Sequence, residues 1–190
     1  MKLNARFTFA LSLPLICTVA LTAISLMAQD TMKPTSSEQA AFDVIGISAR
    51  TTNTTERGGG GEIPKIWQRL FMENVLNRIP DRSDDAIVAV YTNYAGDENA
   101  DYTYVLGAKV KSGTKAPDGM VSVSIPAGKY DEFVSAKGPG PEVIPPLWMH
   151  VYSYFQTPGS PKRAFKSDFE RYEGPMDPNA MQAHIYIGVK

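Results

Sequence analysis

"IPKIW" (residues 63–67) returns 81 positions later as "IPPLW" (144–148), each time just ahead of an amphipathic run. After the first, Ile63, Ile66, Trp67, Leu70, Phe71, Leu76 and Ile79 recur close to a 3.6-residue period, which predicts a helix with one apolar face. Pro64 suits its first turn, where a missing N–H leaves no hydrogen bond unmade, and Pro80-Asp81 should end it. After the second, Val143, Leu147, Trp148, Val151, Tyr152 and Phe155 fall on one face of a helix that starts near Pro141 or Pro145 and stops at "TPGSP" (157–161).

Working outward, each helix is flanked by strand-like sequence. "FDVIGISAR" (42–50) precedes the first, and "AIVAVYTNY" (86–94) with "DYTYVLGAKVKS" (101–112) follows it around the turn sequence "AGDENA". "MVSVSIPAGKYDEFVSAKG" (120–138), extended but broken at Pro126-Ala127-Gly128, precedes the second, and "RAFKSDFERYEG" (163–174) with "AHIYIGVK" (183–190) follows it. The same offset of 81 relates Tyr91 to Tyr172 and Gly107 to Gly188. The expected fold is therefore α+β: a tandem β-α-β-β repeat with pseudo-twofold symmetry, whose halves, about 42–112 and 120–190, share an antiparallel sheet carrying two main helices. A groove between related halves is the natural ligand site.

The ends of the chain and its composition bound the function. Lys2 and Arg6 precede an uncharged stretch from Phe7 to Ala28, so residues 1–28 read as a signal peptide or, if uncleaved, an N-terminal membrane anchor. Export to the periplasm or beyond, or tethering to the inner membrane, is the expectation, with membrane contact only through this segment. Residues 29–41, "QDTMKPTSSEQAA", are polar and without period, which predicts a flexible linker and a domain beginning near Phe42. Cys17 is the single cysteine and lies in the export segment, leaving none for a disulfide or thiolate metal site in residues 42–190. Without the first 28 residues, 17 basic side chains face 20 acidic ones, a balance that argues against a nucleic-acid partner.

Catalytic and cofactor motifs are sparse. "TTNTTERGGGG" (51–61) lacks the Lys and Ser/Thr of a nucleotide loop and reads as a mobile loop. His150 and His184 have no metal-ligand spacing, and there is no Gly-x-Ser-x-Gly elbow, so neither a metal nor a cofactor is expected. Strand alternation is more informative. In "SDFERY" it sends Asp168, Glu170 and Tyr172 to one face and Phe169 and Arg171 to the other; with the 81-residue offset, Tyr91 joins the Glu170 face and Val88 and Val90 the opposite one. Glu170 then has two readings: a strand carboxylate paired with Lys166 or Arg171, or an anion among aromatic rings that recognises a cation or transfers a proton. Trp67 and Trp148 are either core residues or matched walls of the groove.

Together "IPKIWQRLF", "VYTNYAGDENADYTYVLGAKV", "IPAGKYDEFVSAKG", "PPLWMHVYSYF" and "DFERYEG" resemble the GyrI-like effector-binding domain, the ligand-sensing half of AraC-type and MerR-type regulators, and in particular its stand-alone, integron-associated and YdeE-like members. The likeness covers about residues 42–190. It implies a tandem β-α-β-β domain whose groove binds hydrophobic, often cationic, small molecules over an acidic residue that matches Glu170. It also implies an alternative, because some members hydrolyse strained cyclopropane-bearing alkylating compounds with a groove Glu. The chain departs from the regulators in leaving no room for a helix-turn-helix domain after residue 41, and its export segment argues against intracellular partners such as DNA gyrase. Three readings follow: a binding protein whose ligand is held by Glu170, Tyr172, Tyr91, Trp67 and Trp148; a hydrolase using Glu170; or an envelope interaction module with the groove filled by its own side chains.

Overall fold

The computed structural model describes residues 33–174 and 176–190, so residues 1–28, expected to be a signal peptide or anchor, lie outside the described residues. Strands β1 (Thr35–Gln39) and β2 (Phe42–Thr51) lead into helices α1 (Asn53–Arg57), α2 (Ile63–Met72) and α3 (Val75–Arg78). Strands β3 (Ile87–Thr92), β4 (Tyr102–Val110), β5 (Val121–Ile125) and β6 (Gly128–Val134) follow, then α4 (Gly140–Gln156), β7 (Ser167–Tyr172) and β8 (Ala183–Gly188). All eight strands form one antiparallel sheet in the order β1-β6-β8-β7-β3-β4-β2-β5. The fold is α+β. Reading outward from the central β3–β7 pair, one block runs β3-β4-β2-β5 and the other β7-β8-β6-β1.

Four sequence expectations are corrected. The linker read over 29–41 does not reach residue 41, because Thr35–Gln39 pairs with Gly128–Glu132 as an edge strand. An edge strand contributes backbone hydrogen bonds and needs no apolar face, so its polar side chains hid it. Pro126 and Ala127 separate two strands instead of interrupting one; each block therefore has four strands where a β-α-β-β unit has three. The Gly-rich segment expected to be mobile contains α1, capped by the Thr52 hydroxyl accepting from Thr55 N–H at 3.0 Å. The first long helix also ends early: Asn74 turns into the left-handed region at φ 51°, and a separate turn, α3, carries Val75.

Chain connectivity forces the sheet to curl. β5 and β6 stand six places apart in the strand order, about 29 Å across a flat sheet at ~4.8 Å per strand, yet Ile125 and Gly128 are three Cα steps apart, about 11 Å at most. The link from Gln39 to Phe42 imposes the same constraint on β1 and β2. Curling brings Phe42 of β2 and Tyr130 of β6 onto Phe169 of the central β7, with ring centroids 5.2 and 5.5 Å apart. These rings, with Val44, Val88, Val90, Val105 and Ile125, make a small core on one face of the sheet. Gly46 and Gly107 lie opposite each other in the β2–β4 ladder, and a Cβ on Gly107 would sit 1.9 Å from the Ile45 carbonyl oxygen. Only glycine lets the strands approach this closely.

The other face carries the helices. Ile45, Ile47, Tyr104, Leu106, Ile185 and Ile187 alternate with the residues of the small core and are covered by Ile66 and Leu70 of α2, Val75 of α3, and Leu147 and Val151 of α4. Each such buried aliphatic side chain contributes roughly 1.5–3 kcal/mol of transfer free energy. Because α2 and α4 lie on the face from which Tyr91, Glu170 and Tyr172 project, the helices and the central strands enclose the site.

Candidate functional site

The pair β3–β7 is the floor of a cavity of about 330 Å³. Glu170 rises from β7, directly opposite Ala89 of β3, whose small side chain leaves the carboxylate room. It is only 2% exposed. Tyr91 Oη donates to Glu170 Oε1 at 2.9 Å, Trp148 Nε1 to the same oxygen at 2.5 Å, and Tyr172 Oη to Oε2 at 2.6 Å. No ion pair among the described residues includes Glu170: Arg171, the partner its position in the strand suggested, binds Asp84 and Glu173 on the other face.

A buried carboxylate held by neutral donors alone is a charge without a counter-charge. Burial pushes its pKa up, and the hydrogen bonds from Tyr172, Trp148 and Tyr91 offset only part of that rise. Tyr91, Tyr104 and Tyr172 are pushed well above the ordinary phenol range, first by burial and then by the Glu170 charge, so their hydroxyls stay protonated donors. Asp168, on the same strand face, has a different fate. It is fully buried and bound by Arg163 at 2.5 Å, Tyr94 Oη at 2.7 Å and the Gly188 amide at 2.9 Å, which makes it a structural tie between β7, β8 and the preceding loop.

The walls are aromatic. Trp148 of α4 packs edge-on against Tyr91 at 5.0 Å, and Trp67 of α2 packs edge-on against Tyr172 at 5.3 Å. The two indoles thus each face a different tyrosine, with open space between, and the groove is not filled by its own side chains as an interaction module would require. Tyr104 and Tyr102 extend the floor from β4, their rings 5.1 and 5.5 Å from Tyr91. At the mouth α1 supplies Asn53, Glu56 and Arg57. Glu56 accepts from Thr51 Oγ1 at 2.5 Å, Glu62 N–H at 2.9 Å and Ile63 N–H at 3.2 Å, so it caps α2 and pins α1 beside the cavity.

All five residues singled out in the sequence, Glu170, Tyr172, Tyr91, Trp67 and Trp148, line this one cavity. Sequence reasoning missed Tyr102, Tyr104 and Tyr152 and the whole of α1. The first two were within reach: setting the "AGDENA" hairpin in register pairs Tyr104 with Tyr91 and puts Tyr102 on the same face. α1 carries no apolar period and gave no signal. Among the described residues no cluster of three His, Cys, Asp or Glu side chains could hold a metal ion.

Residues 37–189 match the family profile of Cass2, described as integron-associated effector binding protein. The chain belongs to this family. Among solved structures, an integron cassette protein from the mobile metagenome of Vibrio cholerae superposes with a TM-score of 0.67 at 26% identity, over 83% of this chain and 96% of that one. SAV2435, solved bound to tetraphenylphosphonium, has the same TM-score of 0.67 at 17% identity, which shows a shared fold. YobU of Bacillus subtilis is 28% identical over 147 residues, 76% of this chain and 90% of YobU. The transcriptional regulator BrlR of Pseudomonas aeruginosa is 29% identical over 156 residues, but the match covers only 53% of BrlR. The chain thus has an effector-binding fold of the GyrI-like kind that its motifs resemble.

Proposed function

We propose that this Cass2-family protein holds a hydrophobic, cationic aromatic small molecule in the Tyr–Trp cavity, with Glu170 as the counter-charge. The observation that carries the reading is the buried carboxylate at the floor, bound by two tyrosines and a tryptophan and, among the described residues, by no base. An organic cation entering the cavity supplies the missing charge, while its rings meet the faces and edges of Trp67, Trp148 and Tyr91, each desolvated cation–π contact adding on the order of 2 kcal/mol. The cavity volume of about 330 Å³ is at the lower end of the range for drug-sized ligands, about 300–1,000 Å³. The bound tetraphenylphosphonium of SAV2435 makes that cation the natural probe. Residues 1–28 export the protein or tether it to the membrane, which puts ligand capture outside the cytoplasm; the matched Trp and Tyr pairs at an 81-residue offset mark its two blocks as copies of one unit.

Trp67 and Trp148 are the only two tryptophans of the chain, so indole fluorescence reports directly on the cavity. Titration with tetraphenylphosphonium should quench or shift that emission saturably, and Glu170→Gln should weaken the binding. Saturation with equal affinity in both proteins would remove Glu170 from the account. A hydrolytic reading draws on one observation, the raised pKa of Glu170, which suits a proton donor to a leaving group. It requires turnover of a strained electrophile that Glu170→Gln abolishes; equal background loss with both proteins excludes it.

A further inference from the structure

The mouth of the cavity carries a positive charge that a plain cation leaves unused. Arg57, in the last turn of α1, lines the cavity, yet no ion pair among the described residues includes it. Its Nε donates to the Asn53 carbonyl oxygen at 3.1 Å, the one hydrogen bond its side chain makes among the described residues, so both terminal NH₂ groups remain to donate. Burial raises the pKa of the Tyr102 and Tyr152 hydroxyls, both lining the same cavity, and the Arg57 charge pulls each partly back, so the guanidinium stands close enough to act on the cavity wall. The neighbouring Glu56 is not its partner. Both oxygens of that carboxylate are taken, by Thr51 Oγ1 and by the Glu62 and Ile63 amides, and these bonds hold α1, and with it Arg57, beside the opening. A site for cations alone gains nothing from a positive side chain at its entrance, because that charge repels the ligand.

We infer that the preferred ligand is zwitterionic: its cationic centre lies over Glu170 at the floor, and a carboxylate or similar planar anion reaches back to the Arg57 guanidinium at the mouth. This rests on the cavity being the cation site proposed above, and it narrows the ligand class from any lipophilic cation to one with an anionic group at its far end. A guanidinium offers parallel N–H donors that match the two oxygens of a carboxylate, and such charge-assisted pairs are stronger than neutral hydrogen bonds. Glu170 and Arg57 put opposite charges at the floor and the mouth of one aromatic space, so the site also selects orientation: the floor repels the anion and the mouth repels the cation.

Triphenylphosphonium ions with a propyl, pentyl or heptyl chain ending in a carboxylic acid, each beside its primary amide, separate the possibilities, with tetraphenylphosphonium as the reference. The flexible chains let the carboxylate find Arg57 at whatever distance it lies from the bound phosphorus. Calorimetric titration of the wild-type protein at neutral pH and low ionic strength should show, for at least one chain length, the acid binding about three- to tenfold tighter than its amide. In Arg57→Gln the order should reverse, because the carboxylate then meets only the repulsion of Glu170, and tetraphenylphosphonium should bind up to about twofold tighter than to wild type with the mouth charge gone. Acids that at no chain length exceed their amides in wild type overturn the inference, and so does a preference that survives in Arg57→Gln. The wild-type comparison needs no variant to fold. If tetraphenylphosphonium itself fails to bind wild type, the cavity reading falls and this inference with it; if it binds through Glu170 and acids and amides do not differ, only the contact to Arg57 is lost.

Discussion

Replacing Glu170 by Gln removes one buried negative charge and keeps its shape. Trp148 Nε1 can only donate, so the amide must turn its oxygen to the Oε1 position, where Tyr91 also donates; the new NH₂ then meets Tyr172 Oη, which can accept. The Tyr172 O–H loses its acceptor in exchange, but no base is left unpaired and an uncompensated buried charge is removed, so the apo protein should melt at or above the wild-type temperature. Binding should behave oppositely. A cationic centre kept about 6 Å from the carboxylate by its own rings gains, at an effective dielectric of ~20, about 3 kcal/mol, or roughly a hundredfold in affinity. The assay is a fluorescence titration of both proteins with tetraphenylphosphonium and with its anionic isostere tetraphenylborate. Wild type should take the cation and reject the borate, and Glu170→Gln should lose about a hundredfold for the cation while its rejection of the borate relaxes. Unchanged cation affinity together with an unchanged melting point would refute the reasoning, because it would mean that the charge at Glu170 acts on neither the fold nor the ligand.

Other outcomes follow from the same geometry. Burial raises the Glu170 pKa above its unfolded value, so the unfolded chain sheds that proton first as the pH rises; wild type should lose stability relative to Glu170→Gln as the pH climbs from the ordinary carboxylate range through the folded pKa, measured as the difference in melting temperature across pH 4–8. Affinity for the phosphonium should rise through that same folded pKa and be flat in Glu170→Gln, while the cavity tyrosines stay protonated throughout. Glu56→Ala removes the acceptor for Thr51 and for the Glu62 and Ile63 amides and should cost about 1–2 kcal/mol in urea denaturation. Gly107→Ala drives a Cβ to 1.9 Å from the Ile45 carbonyl oxygen and should cost about 1–3 kcal/mol or more by the same measurement; a neutral result would mean that the β2–β4 approach is looser than described.

How far the sequence could be read depends on which force leaves a periodic mark. α2 and α4 announce themselves because each buries one stripe of side chains, and β3, β4 and β7 because alternation is written in Val, Tyr and Phe. Glu170 and Tyr172 could be placed on one face from that alternation, and Tyr91 beside them from the 81-residue offset. β1 was illegible, since it joins the sheet by backbone pairing with β6 and its side chains stay in solvent. α1 was illegible for a related reason: it is five residues long with no buried side chain, held by Glu56 and a threonine cap. The curl of the sheet, which packs Phe42 on Phe169, follows from strand order, and strand order is a long-range property that no local period records.

The central claim is that the Glu170 carboxylate is the seat of a bound cation. Arsenic scatters X-rays anomalously, so a crystal of the protein with tetraphenylarsonium locates the charged centre without modelling the ligand's rings. The account predicts one strong anomalous peak in the cavity between Trp67 and Trp148, about 6 Å from the Glu170 carboxylate, a distance at which the Coulomb attraction worked out above applies. A peak elsewhere on the molecule with this cavity empty, or the same peak at the same occupancy in Glu170→Gln crystals grown at equal ligand concentration, would contradict it.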